Sequence, residues 1–484
     1  MTNLPSGMAT LEEIRNAILD FKQSGKFVIA YSETYSQKAY YMASAADIIC
    51  LNPEGFIDFK GLTGQVLFLK GLLDKLDINA QVIRHGKYKS AIEPLISDRM
   101  SEANKEQTLT YVGSIWQHIS SEISKARNIA PEKLQNIADS LLLQTAEDAV
   151  KYGFADKITY KDQVLDLLRE KLELGSTDKI EFLKLESYKN SPALSSKKRS
   201  KDKIAIIYAV GEIGGGEGSD EAIGSERISR AIRKARLDDN VKAIVFRINS
   251  PGGSALASDV ILREIKLARE KKPVVASMGD LAASGGYYIA CAADTILANP
   301  TTLTGSIGVF GVIPDFQKFF SSKLGITFDM VKTNKNSDYI SVTRPMTSYE
   351  EKVMTNSIER IYKTFIGHVS DGRMMTTAAV DSIGQGRVWS GIDGQRIHLV
   401  DEMGGLRKAI EIAAKMAKIE DYRLTSLPEQ KDPFTELMED ITGSPSETML
   451  RNELGNMYPY LKEIQSFSKM SGVQARLPFI LDIN

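Results

Sequence analysis

The feature that most constrains this chain is that it repeats itself. Residues 3–30, NLPSGMATLEEIRNAILDFKQSGKFVIA, lie over 249–276, NSPGGSALASDVILREIKLAREKKPVVA, at one constant offset. Asn3 meets Asn249, Pro5 meets Pro251 and Gly7 meets Gly253. After one inserted residue, YYMASAADIICLNP (40–53) matches YYIACAADTILANP (287–300), and later AVKYGFADKI (149–158) sits over GQRIHLVDEM (394–403). Such self-similarity sets the domain count before any local reading does. It predicts a first repeat over 1–190, a linker over 191–202 (SPALSSKKRSKD, a solvated charge run), a second repeat over 203–427 and an extension over 428–484. The extension is polar, acidic and weakly patterned, and no chemistry is assigned to it. The second copy carries an opening, from Lys203 to Ile248, that has no counterpart before Asn3, so the first repeat is expected to be truncated at its N-terminus.

Composition narrows the function classes. With 484 residues, 43% hydrophobic and 25% charged, the chain has the balance of a soluble globular protein of several domains. Lys and Arg total 61 against 62 Asp and Glu, so no basic surplus points to nucleic acid. The two cysteines, Cys50 and Cys291, are too few for a disulfide framework and lack the paired spacing of a zinc site; they read as small packed apolar residues. No metal and no cofactor are expected. No apolar run is long enough to span a bilayer, and MTNLPSGMATLEE lacks the basic flank and apolar stretch of a signal peptide.

Local patterns in the second copy predict an α/β fold. KIAIIYAV (203–210), KAIVFRI (242–248) and PVVASM (273–278) are short apolar, β-branched runs that read as buried strands. Between them, SERISRAIRKARLDD places Ile228, Ala231, Ile232 and Ala235 at helical spacing, and 254–270 is helical by the same criterion. Alternating strands and helices imply parallel pairing through right-handed crossovers.

Two glycine-bearing turns fall at strand-to-helix junctions. In NSPGGS (249–254), consecutive glycines let backbone amides approach a bound oxygen, as in an oxyanion hole, although a tight turn with no ligand fits the same residues. In AASGGYY (282–288), Ser284 stands at a helix start, where the dipole favours developing negative charge; an ordinary capping serine fits equally. The repeat separates these readings. Ser284 projects onto Gln37 in the first copy, so that copy has no hydroxyl there. Matching Val82 with Val331 places Lys89 of the first copy against Asp338 of the second. Each half retains what the other lacks, which predicts one composite site built from both.

SPGG (250–253), AASGGYY, TGSIGVFG (304–311) and YKSAIEP (88–94) together resemble the signal peptide peptidase A family in its long, tandem-domain form, over nearly the whole chain to about residue 425. The resemblance implies two tandem domains of the ClpP and crotonase superfamily, with parallel sheets and crossover helices. It also implies a serine protease with Ser284 as nucleophile and Lys89 as general base, acting on signal peptides or other short apolar peptides. By the same resemblance the protein is a homo-oligomer, a homotetramer, at the cell inner membrane with its catalytic domains facing the periplasm, anchored by a segment not visible in these residues.

A lysine base sets a physical requirement. An unperturbed lysine titrates near ~10.4, so holding it neutral at pH 7 costs roughly 4.6 kcal/mol. Burial between the two halves is the main means of lowering that pKa, with Arg84, His85 and Lys87 adding to it if they point inward. The amides of Gly285 and of Gly252 or Gly253 are the expected oxyanion donors, and apolar residues of 304–312 the expected peptide pocket. Of the four histidines, His398 with Asp401 could in principle form a Ser-His-Asp arrangement, yet HLVD matches a plain turn in the other copy; His118 and His368 fall in helical patterns. A crotonase-like acyl-CoA enzyme, which would use the same glycine turn with a carboxylate, and a non-catalytic scaffold remain the alternatives.

Overall fold

The computed structural model describes residue 4 and residues 6–189, 200–429 and 473–476. Most of the predicted linker (191–199) and most of the extension (430–472 and 477–484) lie outside the described residues.

The first half contributes β1 (Ile29–Ser32), β2 (Ile48–Leu51), β3 (Asn79–His85) and β4 (Lys157–Ile158). Strands β1, β2 and β4 form a parallel sheet. The helix Glu102–Arg127 packs its apolar stripe of Tyr111, Ile115, Ile119 and Ile123 into the core beneath that sheet. It ends at Asn128, whose left-handed conformation closes the last turn.

The second half opens with β5 (Lys203–Val210), β6 (Glu212–Gly214) and β7 (Ala222–Gly224), then β8 (Val241–Ser250), β9 (Gly252–Ser254) and β10 (Val274–Ala283). The three strands expected from apolar runs are thus β5, β8 and β10, and they pair in parallel. The crossover helices are Ser225–Leu237 and Ala255–Arg269. The fold is α/β with parallel sheets, as the strand and helix alternation predicted. Helices cover one face of this sheet, and Leu406–Ala417 covers the other through Ala409, Ala413 and Ala414. Double coverage is why these strands are apolar along their length instead of alternating.

Beyond β10 come β11 (Thr295–Ala298), β12 (Leu303–Gly305), β13 (Val309–Asp315), β14 (Val388–Ser390), β15 (Glu402–Met403) and β16 (Arg423–Leu427), with β17 (Val473–Arg476) drawn from the C-terminal extension. The larger sheet runs β14-β12-β10-β8-β5-β16, with β11 and β15 branching from β10. A further sheet, β3-β13-β17-β9-β6-β7, joins the two halves. In it, β3 of the first half runs antiparallel to β13 of the second over seven residue pairs, from Val309 opposite His85 to Asp315 opposite Asn79.

Polar contacts lock the same junction elsewhere. Asp280 accepts hydrogen bonds from the Thr10 amide (3.0 Å) and hydroxyl (2.6 Å), and Arg247 pairs with Glu13 at 2.7 Å. Arg247 and Glu13 are both largely shielded from water, where a pair weakens less with salt than on an open surface. Cys50 and Cys291 are buried free thiols in the cores, as read, and burial pushes the Cys291 thiol up to about 12.

Candidate active site

Ser284 follows the last residue of β10 and precedes the helix Gly285–Ala290. Its backbone has φ 56° and ψ −114°, a conformation that a residue with a Cβ adopts only under constraint from its surroundings. The constraint is visible: the Ser284 amide donates to Gly305 O at 2.8 Å, and its carbonyl accepts from Tyr288 N at 2.8 Å. The side chain makes no capping bond to the helix. The capping-serine reading therefore fails, and the hydroxyl is free to point elsewhere.

It points at Lys89. The Lys89 Nζ lies 2.8 Å from Ser284 Oγ, and both residues are fully buried. Lys89 sits four residues beyond the end of β3, so the β3–β13 pairing carries a first-half amine into the second half. Its segment is pinned from three sides. The Gln107 side-chain amide donates to Tyr88 O (3.0 Å) and Ser90 Oγ (2.9 Å), while its oxygen accepts from Val388 N (3.2 Å). Tyr88 N donates to Gln385 O at 2.9 Å. Gly386 closes over the lysine so tightly that a Cβ there would come 2.6 Å from Lys89 Cα, and its φ of +83° independently favours glycine.

Ser306 is a site residue that sequence reasoning passed over. Lys89 Nζ donates to Ser306 Oγ at 3.0 Å and to Ser306 O at 3.3 Å. Ser306 lies inside TGSIGVFG, one of the motifs that carry the resemblance, and its positive φ of 49° is uncommon for a residue with a Cβ.

The electrostatics differ in one respect from expectation. Burial alone drives the Lys89 ammonium well below the ordinary lysine range. The neighbours Arg84, His85 and Lys87 do not take part, because each is turned to another partner. Arg84 donates to Lys89 O at 3.3 Å and faces Glu93; His85 bonds Glu359 at 2.6 Å and stacks on Tyr362; Lys87 lies over the Tyr88 ring.

The glycine turns converge on the same place. A Cβ on Gly252 would fall 2.7 Å from Gly285 N, so two of the three predicted oxyanion glycines are in contact. Gly253 is held by different packing: its Cβ position would be 2.1 Å from Ile213 O on β6. The predicted pocket segment 304–312 runs alongside as β12 and β13, entirely buried up to Gly311.

The histidine alternative is not assembled. Asp401 is bound by Arg373 and by Ile296 N, and His398 is a positive-φ turn residue whose carbonyl accepts from Arg373 at 3.1 Å. His118 pairs with Glu12, and His368 with Asp259. The positions equivalent to the pair in the opposite halves are filled differently. Gln37 is buried and accepts from the amides of Lys60 (3.0 Å) and Gly61 (3.1 Å), and Asp338 is ion-paired with Arg344 and Lys332.

Comparison with known proteins places the chain in a family. The family model described as Peptidase family S49 matches the chain twice, over residues 20–175 and 266–420. "Protease 4" of Salmonella typhi is 39% identical over 443 residues, covering 90% of this chain and 71% of that protein. "Protease 4" of Haemophilus influenzae is 36% identical over 418 residues, covering 84% and 68%. "Serine protease SPPA, chloroplastic" of Arabidopsis thaliana is 34% identical over 484 residues, covering 99% and 70%. A chain matched twice by one family model, and aligned over most of its length with these proteases, belongs to Peptidase family S49 and is a serine peptidase.

Proposed function

We propose that this peptidase works through a dyad, Ser284 as nucleophile and Lys89 as general base, and that it degrades short apolar peptides, cleaved signal peptides among them, at the membrane. The observation that carries the reading is the fully buried amine 2.8 Å from the hydroxyl. A neutral Nζ has two N–H donors and one lone pair. Ser306 O and Oγ accept from the donors, which leaves the lone pair for the Ser284 proton. As Oγ attacks a peptide carbonyl, the proton passes to Nζ and then to the departing amine. Gly285 N–H faces the developing oxyanion. The Gly252 amide already bonds Ser250 Oγ at 3.2 Å, which leaves Gly253 as the second donor. Extended substrate would add as a strand beside β13 and β9, recognised through its main chain.

The homo-oligomer belongs to the same proposal, and the repeat supports it. Strand β3 finds its partner β13 within one chain. By the repeat matches, the counterpart of β13 is 62–68 and that of β3 is 328–334; neither is in a strand among the described residues. The second of these exposes Phe328, Met330 and Val331. The same pairing made between 328–334 of one copy and 62–68 of the next would be head-to-tail, a contact that closes into a ring when the rotation between copies closes. Placement at the inner membrane, with the site facing the periplasm, is likewise part of the proposal; among the described residues no helix is long and apolar enough to cross a membrane.

Three measurements test these statements. Ser284→Ala and Lys89→Ala are each expected to lower cleavage of an apolar reporter peptide by roughly 10⁴-fold or more while the circular dichroism spectrum is unchanged; ordinary turnover by either variant removes the dyad. The buried amine also sets a stability profile. The unfolded chain binds a proton at Lys89 below ~10.4 that the folded chain, with its lowered pKa, does not, so this residue costs stability as pH falls from that value. Lys89→Met should therefore be more stable than the parent at pH 7 in urea titrations, with the gap closing as pH rises toward 10; a pH-independent difference contradicts a neutral buried amine. Finally, Val331→Asp together with Phe328→Lys should reduce the assembly to single chains in sedimentation, and an unchanged assembly removes the proposed contact.

A further inference from the structure

The segment that closes over Lys89, residues 384–387, is a turn between the helix Thr377–Ile383 and β14. Backbone hydrogen bonds tie it to the site: Gly386 N donates to Ile307 O (2.7 Å), Ser306 N to Arg387 O (2.7 Å) and Tyr88 N to Gln385 O (2.9 Å). Two of these reach the immediate surroundings of the amine, since Tyr88 precedes Lys89 and Ser306 accepts from its Nζ. The turn is not a relaxed one. Gln385 has φ +52°, which a residue with a Cβ keeps only where its surroundings fix it.

What fixes it is Tyr362, which is 2% exposed and lies on the helix Ser348–Arg373. Its hydroxyl accepts from Gln385 N–H at 3.2 Å and donates to Asp381 Oδ1 at 2.6 Å. Gly384 leaves room for it: a Cβ there would come 3.2 Å from the hydroxyl oxygen. His85, the last residue of β3, stacks on the ring with centroids 3.7 Å apart, and Glu359, three residues before Tyr362, holds the imidazole at 2.6 Å. One side chain thus touches both stretches that set Lys89, the end of β3 before it in the chain and the turn lying across it. The titratable groups facing Tyr362 are His85 from β3, Glu359 from its own helix and Asp381 from Thr377–Ile383. Burial, then the Asp381 carboxylate, hold the hydroxyl protonated well above the usual tyrosine range, so it stays a donor.

We infer that Tyr362 is a positioning residue for the general base: its hydroxyl fixes the 384–387 turn over Lys89 and so keeps water from Nζ. The inference rests on the Ser284–Lys89 reading. Tyr362 bonds neither Ser284 nor Lys89 and acts on them by two routes. Through Gln385 it holds Gly386, which lies against the lysine backbone and against Gly308, itself packed on the lysine stem. Through Arg387 O it holds Ser306, whose hydroxyl and carbonyl engage the two N–H donors of Nζ. Without the hydroxyl, Gln385 N–H loses its partner in a half-buried turn of unfavourable backbone, and the turn relaxes away from the lysine. Nζ faces Ser284, Ser306 and the Phe310 ring, none of them charged, so hydration is what changes at the amine. Burial alone keeps the Lys89 amine below the ordinary lysine range, so admitting water raises its pKa. The base works only above that pKa; loosening the turn therefore moves the acid limb of the activity profile to higher pH.

The test is the pH dependence of kcat and kcat/KM for an apolar reporter peptide in the full-length parent, Tyr362→Phe and Tyr40→Phe. Tyr362→Phe keeps the ring on which His85 stacks and removes only the hydroxyl. Tyr40 is a buried tyrosine of the first-half core whose hydroxyl donates to Phe154 O at 3.0 Å, so Tyr40→Phe controls for the loss of any buried hydroxyl. In Tyr362→Phe the acid limb should lie about one pH unit higher, with about tenfold less activity below it, an unchanged KM and near-parent activity above it. Tyr40→Phe should leave the limb in place. Asp381→Asn, which still offers Oδ1 to the hydroxyl, should keep the parent profile, and Asp381→Ala should move the limb the same way by less. If Tyr362→Phe does not fold, Asp381→Ala is read by the same criteria. An unmoved limb, a loss of equal size at every pH, or a rise in KM at constant kcat overturns the positioning role and leaves the dyad standing. Turnover by Lys89→Ala with the parent's pH profile removes the dyad itself, and the inference with it.

Discussion

The structure depends on keeping water away from one amine. A lysine in solution is an ammonium ion with no lone pair to offer, and no arrangement of hydrogen bonds to a charged Nζ would turn it into a base. Here the only cause acting on Lys89 is burial, which disfavours the charged form. That requirement explains architecture well away from the reacting atoms. Gly386 and Gln385 close over the lysine backbone, Phe310 and Gly308 pack along its stem, and Gln107 ties its segment to β14. None of these residues has chemistry of its own. Their common effect is to exclude solvent and leave the amine with Ser284 and Ser306 as its hydrogen-bond partners.

The two halves divide the labour. The second half builds the strained turn at Ser284, which needs β10, β12 and the following helix in register. The first half contributes one strand, β3, and the segment after it. A site split this way has a structural consequence: without the second half, Lys89 loses the cover of Gly308, Phe310 and Gly386 and the hydrogen bonds to Ser284 and Ser306. On the proposed dyad, catalytic competence appears only when β3 and β13 have paired. The vestigial positions show the same logic from the other side, since Gln37 satisfies backbone amides in place of a hydroxyl and Asp338 is neutralised by Arg344 and Lys332.

Much of this was legible in residues alone, for identifiable reasons. Strands β5, β8 and β10 announced themselves because a parallel sheet covered on both faces demands unbroken apolar runs. Ser284 and Lys89 emerged from the mismatch between the copies, a signal that needs no knowledge of distance. What stayed hidden was non-local. The antiparallel β3–β13 pairing joins segments more than two hundred residues apart and has no turn to mark it. Adjacency in sequence makes Arg84, His85 and Lys87 candidates to help the lysine if they point inward, but they face Glu93, Glu359 and the Tyr88 ring. Ser306 lies within a motif, yet nothing in the residues shows that its hydroxyl and carbonyl both face Nζ. Strand β17 is four residues of unremarkable polarity, and only the groove it fills gives it meaning.

The central claim is that Lys89 is a neutral amine at the pH where the enzyme works, and direct observation of that side chain tests it. With ¹³C-labelled lysine and the Lys89 signal assigned by its loss in Lys89→Met, the ε-carbon can be followed by NMR as pH is raised. The account predicts a neutral-amine chemical shift already in place at pH 7, separated from the signals of the exposed lysines. A Lys89 signal that stays charged at pH 7 and titrates with the others near ~10.4 would contradict it.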